Sequence, residues 1–199
     1  MKKITTLYKK DPTNLGLVIN EKNPENQWVF DGDGIATRKF DGTSCAIKDE
    51  VLYKRYDVKL WKKKKGKITK FTPEQLTAKI PSGAIACQEP DKITGHWPHW
   101  IKCDRSKPED KYHFEAFNLL QHKENATYEL CGPKIQNNSE RFHGHILIRH
   151  GKYKIDITDY SFDAIRNFLK TADIEGIVFH HKSDGRMCKI RKTDFGLTR

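Results

Sequence analysis

Turn formers interrupt this sequence so often that apolar residues never run on for more than a few positions, which confines most of the chain to short strands joined by tight reversals. Asp41-Gly42, Lys48-Asp49-Glu50, Gly132-Pro133, His150-Gly151-Lys152 and Ser183-Asp184-Gly185 each follow a β-branched or apolar run. Ser44 to Ile47 and Val51 to Tyr53 therefore read as a hairpin, with the second strand running on to Lys59. His145 to Arg149 and Tyr153 to Asp156 read as another. Thr127 to Cys131, Ile174 to Phe179 and Met187 to Arg191 complete the set of expected strands.

Helical signals are fewer. Ser161 to Lys170 is the clearest: Ser161 stands at the cap, Asp163 in the first turn and Lys170 in the last, and Phe162, Ile165, Phe168 and Leu169 form one apolar face. Thr72-Pro73 opens a second helix reaching to Ile80. Lys111 to Leu120 satisfies both helical and alternating periodicity. Residues 1 to 30 read as turns and short strands, with Leu15 to Ile19 and Trp28 to Phe30 as the apolar pieces. Asp31-Gly32-Asp33-Gly34 is a turn, since a calcium loop would need Gly where Ala36 stands and Glu where Gly42 stands. The expected class is α+β, antiparallel sheets flanked by helices, in one domain spanning 1–199.

With 36% hydrophobic and 32% charged residues and no apolar run long enough for a bilayer, the chain reads as soluble. Polar residues follow Met1 to Thr5, so no secretory signal is visible. Five widely spaced cysteines without a C-x-x-C pair point to reduced thiols in the cytoplasm. A formal charge of +11 favours a polyanionic partner, of which nucleic acid is the commonest. Trp61-Lys62-Lys63-Lys64-Lys65-Gly66-Lys67 is either a solvated loop or a grip on phosphates. Trp97 and Trp100 lie in a segment rich in loop formers, suited to packing or base stacking, while Cys87, His96, His99 and Cys103 lack zinc-ligand spacing.

Lys39 sits where a strand is expected to end and the Asp41-Gly42 bend to begin. An ordinary lysine amine is neutral, and hence nucleophilic, in roughly one molecule in two thousand at pH 7. A lysine nucleophile therefore needs cations, a metal ion or partial burial around it. Lys189 and Arg191, two apart on a strand, share one sheet face and call for an anion between them. Arg55 and the carboxylates Glu129 and Glu175 stand at other expected strands.

In that order, Lys39-x-Asp41-Gly42, Arg55, Tyr128-Glu129-Leu130-Cys131-Gly132, Glu175-Gly176-Ile177-Val178 and Lys189-x-Arg191 resemble the motifs of the covalent nucleotidyltransferase superfamily of polynucleotide ligases and capping enzymes. The nearest resemblance is to its ATP-dependent RNA ligases, and it covers the catalytic, adenylyltransferase (ATP-grasp-like) domain alone. It implies that Lys39 attacks the α-phosphorus of ATP and carries AMP, which passes to an RNA 5′-phosphate before a 3′-hydroxyl displaces it. It also implies that Asp41, Gly42, Arg55, Glu129, Glu175, Lys189 and Arg191 bind the nucleotide, and that Glu175 with Asp41 holds Mg²⁺ or Mn²⁺. The partner so implied is RNA with 5′-phosphate and 3′-hydroxyl ends, with no membrane involved. The last motif departs from its usual two lysines: Arg191 takes the second place and Lys192 follows it, so either of them is the candidate for the phosphate. A DNA ligase or capping guanylyltransferase would use the same lysine chemistry. A basic nucleic-acid-binding module would need none of it.

Overall fold

In the computed structural model, which describes residues 3–199, the short runs fold as a chain of strands with a few helices. In order these are β1 (Thr5–Thr6), β2 (Tyr8–Lys10), β3 (Val18–Lys22), β4 (Gly34–Lys39), β5 (Thr43–Lys48), β6 (Val51–Lys59), β7 (Trp61–Lys64) and β8 (Lys67–Lys70). Then follow α1 (Pro73–Thr77), β9 (Ile85–Ala86), β10 (His96–Lys102), α2 (Lys111–Asn118), β11 (Ala126–Cys131), β12 (Ile146–Arg149), α3 (Phe162–Thr171), β13 (Gly176–His181) and β14 (Met187–Arg191). The class is α+β, with antiparallel pairing throughout except for the two-residue parallel contact of β1 with β14.

The chain divides into two compact units, Gly42–Arg149 with Lys3, and Ile4–Asp41 with His150–Arg199. The first holds a six-stranded sheet in the order β12-β11-β5-β6-β10-β9 and the β7–β8 ribbon. Alternation turns Cys45, Ile47, Leu52, Tyr128 and Leu130 to one face of the sheet, where they pack with Ala116 and Phe117 of α2. This contact decides the ambiguous segment in favour of a helix: Ala116 and Phe117 are buried one after the other, as a helix at a sheet face permits.

The second unit holds a four-stranded sheet, β1-β14-β13-β4, and the β2–β3 ribbon. Ser161 caps α3 by accepting from the Ala164 N–H at 3.4 Å, as the sequence indicates. Its Ile165 and Leu169 are fully buried with Ile177, Phe179 and Ile190, each worth about 1.5–3 kcal/mol of apolar burial.

Several local expectations are corrected. Trp28 to Phe30 is not a strand: Val29–Asp33 winds as one wide helical turn, with Val29 in the core. The Thr72-capped helix stops at Thr77, for it buries none of its residues and Pro81 follows closely. Tyr153 to Asp156 does not pair with β12; its backbone runs along β4, where Arg38 N–H donates to Tyr153 O and Ile155 N–H to Ala36 O. The Trp97 and Trp100 segment is a strand, β10, paired with β6 on one side and β9 on the other. Both tryptophans are half-buried, and Trp97 Nε1 donates to Gln88 O at 2.9 Å. All five cysteines are free thiols. Among the described residues, no helix is long and apolar enough to cross a membrane.

Candidate active site

The site in the second unit is set by strand register. Lys39, the last residue of β4, lies opposite Gly176 of β13, which lies opposite Arg191 of β14. One pair earlier, Thr37, Val178 and Lys189 form the parallel row. These side chains share the face opposite the buried Ala36, Ile177, Phe179, Cys188 and Ile190. The apolar residues thus fix the strands, and their alternation gathers three cations on the other side.

Gly176 is required for space. A Cβ there would lie 2.3 Å from Ile190 O and 2.8 Å from Arg191 Cα. The middle of the cationic row is thus kept bare between Lys39 and Arg191. Glu175, immediately before it, turns its carboxylate to the Lys39 ammonium and accepts a short hydrogen bond; both side chains are about four-fifths covered. Burial pushes the Glu175 carboxyl above its usual range, Asp41 adds to the rise, and Lys39 and Arg191 oppose it. Burial likewise brings the Lys189 ammonium down to about 8, helped by the positive charges of Arg191 and Lys39. Lys189 has no ion-pair partner among the described residues, so this corner carries positive charge that an anion would relieve.

Arg191 is held differently. Its Nη2 donates to Asp194 Oδ1 at 2.9 Å and its Nε to Oδ2 at 3.3 Å, while its own backbone N–H reaches Oδ2 at 2.8 Å. Lys10 donates to the same carboxylate at 2.7 Å. Alternation along β14 answers which basic residue joins the row: Arg191 is paired within it, whereas Lys192 begins the following helical turn and is 6% exposed.

Asp194 and Lys10 were not among the sequence candidates. An acid three residues past Arg191, at the third position of the helical turn Lys192–Phe195, is a local sign of the first. Nothing in the sequence joins Lys10 to a residue 184 positions away.

Asp41 follows Lys39 and approaches Arg199, 4.0 Å from its Nη1. Its charge is felt at Glu175. Asp41 and Glu175 are carboxylates, the donor type that a hydrated magnesium-type ion takes one or two of alongside phosphate and water. They do not make a closed protein cage: no group of three or more His, Cys, Asp or Glu is placed to hold a metal among the described residues.

Gly42, Arg55 and Glu129 belong to the first unit. Glu129 lies opposite Ser44 and opposite Ile148 on its other side, and Cys45 pairs with Lys54. Glu129, Ser44 and Arg55 therefore share the sheet face turned away from α2. Ser44 Oγ is buried there without a hydrogen-bond partner among the described residues. Gly42 is again a matter of space, since a Cβ would lie 2.3 Å from Leu130 O and 2.8 Å from Glu129 Cγ. The structure thus collects Lys39, Asp41, Glu175, Lys189 and Arg191 in one unit, and Gly42, Arg55 and Glu129 in the other.

The sequence matches no protein-family model and none of the curated proteins. The functional reading rests on the motifs and this geometry.

Proposed function

We propose that this protein is an ATP-dependent RNA ligase that works through a lysyl-AMP intermediate. The observation that carries the reading is the pairing of Lys39 with a largely covered Glu175 beside Lys189, which has no ion-pair partner among the described residues. A structural ion pair has no need of a third, uncompensated cation. A site for a nucleoside triphosphate does, because negative charge moves among phosphate oxygens at every step.

On this reading Lys39 Nζ, as the neutral amine, attacks the α-phosphorus of ATP. The N–P bond forms, the bond to the bridging oxygen breaks, and pyrophosphate leaves with the electron pair. Glu175 aims the amine and is the carboxylate within hydrogen-bond reach of the proton that it gives up. Lys189 and Arg191 offset charge on the phosphates. Mg²⁺ or Mn²⁺, bound through Asp41 and Glu175, would neutralise the phosphate charge further. An RNA 5′-phosphate oxygen next displaces Lys39 from the AMP phosphorus. Finally an RNA 3′-hydroxyl attacks the 5′-phosphorus, sealing the strand and releasing AMP.

The test is incubation with α-phosphate-labelled ATP and Mg²⁺. An acid-stable label on the protein that disappears in Lys39→Met is the expected result, and an unlabelled wild type overturns the reading. Labelling by GTP in place of ATP would reassign the chain to capping chemistry. Competition among nicked RNA, single-stranded RNA and nicked DNA tests the nucleic acid.

A further inference from the structure

Six lysines of the β7–β8 ribbon, Lys62, Lys63, Lys64, Lys65, Lys67 and Lys70, have no ion-pair partner among the described residues. Nearby Lys59 shows the contrast: its ammonium is 3.0 Å from Asp57. The register Lys62↔Thr69 and Lys64↔Lys67 puts Lys62, Lys64 and Lys67 on one face. Two of these face each other directly, an arrangement that costs stability in an antiparallel pair. Lys65 adds backbone strain, with φ of 47° in the turn. No side chain of the ribbon is fully buried, so a core does not compensate for this repulsion. A bound anion would.

Beside the ribbon is a concavity of about 480 Å³ lined by Trp61, Lys62, Lys63, Phe71, Lys79 and His96. Lys79 Nζ stands 4.3 Å above the Phe71 ring. Cations along a track with aromatic rings in its wall are the means by which proteins hold a single strand without reading its sequence. A membrane surface suits the ribbon less well. Binding there needs apolar side chains beside the lysines, and Ile68 is the one large apolar residue that the ribbon exposes.

We propose that the β7–β8 ribbon grips the sugar-phosphate backbone of a single nucleic-acid strand, and that the strand is RNA, a choice that rests on the function proposed above. Lys62, Lys64 and Lys67 each meet a phosphate, and Lys62, which also lines the concavity, leads the strand into it.

The test uses the whole chain and a fluorescent single-stranded RNA lacking a 5′-phosphate and blocked at its 3′ end, so that binding is read without ligation. Three phosphate contacts contribute about 2 to the slope of log affinity against log salt. Lys62→Gln/Lys64→Gln/Lys67→Gln should lower that slope by about 2, and Lys64→Gln alone by about 0.7. Arg166→Gln/Lys170→Gln/Lys182→Gln removes the same charge from exposed positions of the other unit and should leave the slope unchanged. An unchanged slope in the ribbon variant, or an equal fall in the control, overturns the grip. So does loss of binding to phosphatidylserine vesicles with RNA binding intact. ATP labelling of Lys39, measured without RNA, is a separate readout. Its absence in the wild type overturns the ligase reading and leaves the ribbon to be judged on its slope.

Discussion

Arg191 closes on Asp194 through two side-chain hydrogen bonds, at 2.9 and 3.3 Å, and so reaches the cationic row already oriented. Asp194 is fully buried, and burial alone would raise its carboxyl. Hydrogen bonds from Arg191 and Lys10 outweigh this and hold it below its ordinary range. A carboxyl lowered by folding contributes stability above its unfolded pKa, and the contribution is lost as pH falls through the folded value. Removing one partner of a buried pair leaves the others uncompensated.

Asp194→Asn should therefore lower unfolding free energy by about 2–4 kcal/mol at pH 7, with the deficit shrinking as pH falls below the carboxylate range. Urea unfolding at a series of pH values measures it. A constant deficit at every pH would mean that the charge of Asp194 is irrelevant. Lys39 labelling should also slow in this variant, since Arg191 loses the fork that aims it.

Glu175 separates a working site from an ordinary ion pair. Its carboxyl is raised in the fold, so the ionised form is the one that folding disfavours, even beside Lys39. Stability tied to this group is highest at low pH and declines as pH rises from the unfolded towards the folded pKa. Glu175→Gln should then be at least as stable as the wild type at pH 7, while Lys39 labelling by ATP falls at least about a hundredfold. A variant that labels normally but unfolds more easily would make Glu175 a structural residue. Thermal unfolding and label incorporation on one preparation give both numbers.

Gly176 lies in β13, where its need for glycine is spatial. The atom that a Cβ would strike at 2.3 Å is the backbone oxygen of Ile190, which cannot swing aside as a side-chain tip would. Gly176→Ala must push β13 and β14 apart, at a cost of about 2–4 kcal/mol. Lys189 and Arg191 move with β14, so labelling should fall with stability. Denaturant unfolding combined with ATP labelling checks both, and a neutral substitution would show that the strands have slack here.

The legible parts of this fold were those fixed by neighbours in sequence. The Asp49-Glu50 turn joins β5 to β6, Ser161 caps α3, and Lys39 ends its strand, each as local pattern suggests. What misled was pairing over distance. Tyr153 to Asp156 alternates like a hairpin partner of the preceding strand, yet its backbone hydrogen bonds go to β4, more than 110 residues earlier by number. His96 to Lys102 carries Pro98 and Gly95 beside it, which argue for a loop; two flanking strands make it a strand nonetheless. Lys39, Asp41, Glu175, Lys189 and Arg191, which the fold places in one unit, all lie in stretches that local sequence pattern singles out. Asp194 and Lys10 act by holding a motif residue, and only the fold brings them together.

Lys189 offers a test in which protons are counted. Burial first, then Arg191 and Lys39, lowers its ammonium to about 8, so near that pH the free protein holds it partly neutral. For a lysine lowered by folding, the penalty is complete below the folded pKa and is relieved as pH climbs towards the unfolded value near 10.4. Lys189→Met should accordingly raise unfolding free energy at pH 7 by about 1–3 kcal/mol, discounted for the side chain's residual exposure. A triphosphate beside the ammonium would restore its proton. Binding of α,β-methylene-ATP, which cannot transfer its nucleotide, should then draw a fraction of a proton from solution at pH 8. At pH 6, where Lys189 is already charged, it should draw almost none from this group. Calorimetric titrations in two buffers of different ionisation enthalpy give the number directly. Lys189→Met should abolish the pH 8 uptake, and an undiminished uptake in that variant would place the nucleotide's phosphates away from this lysine.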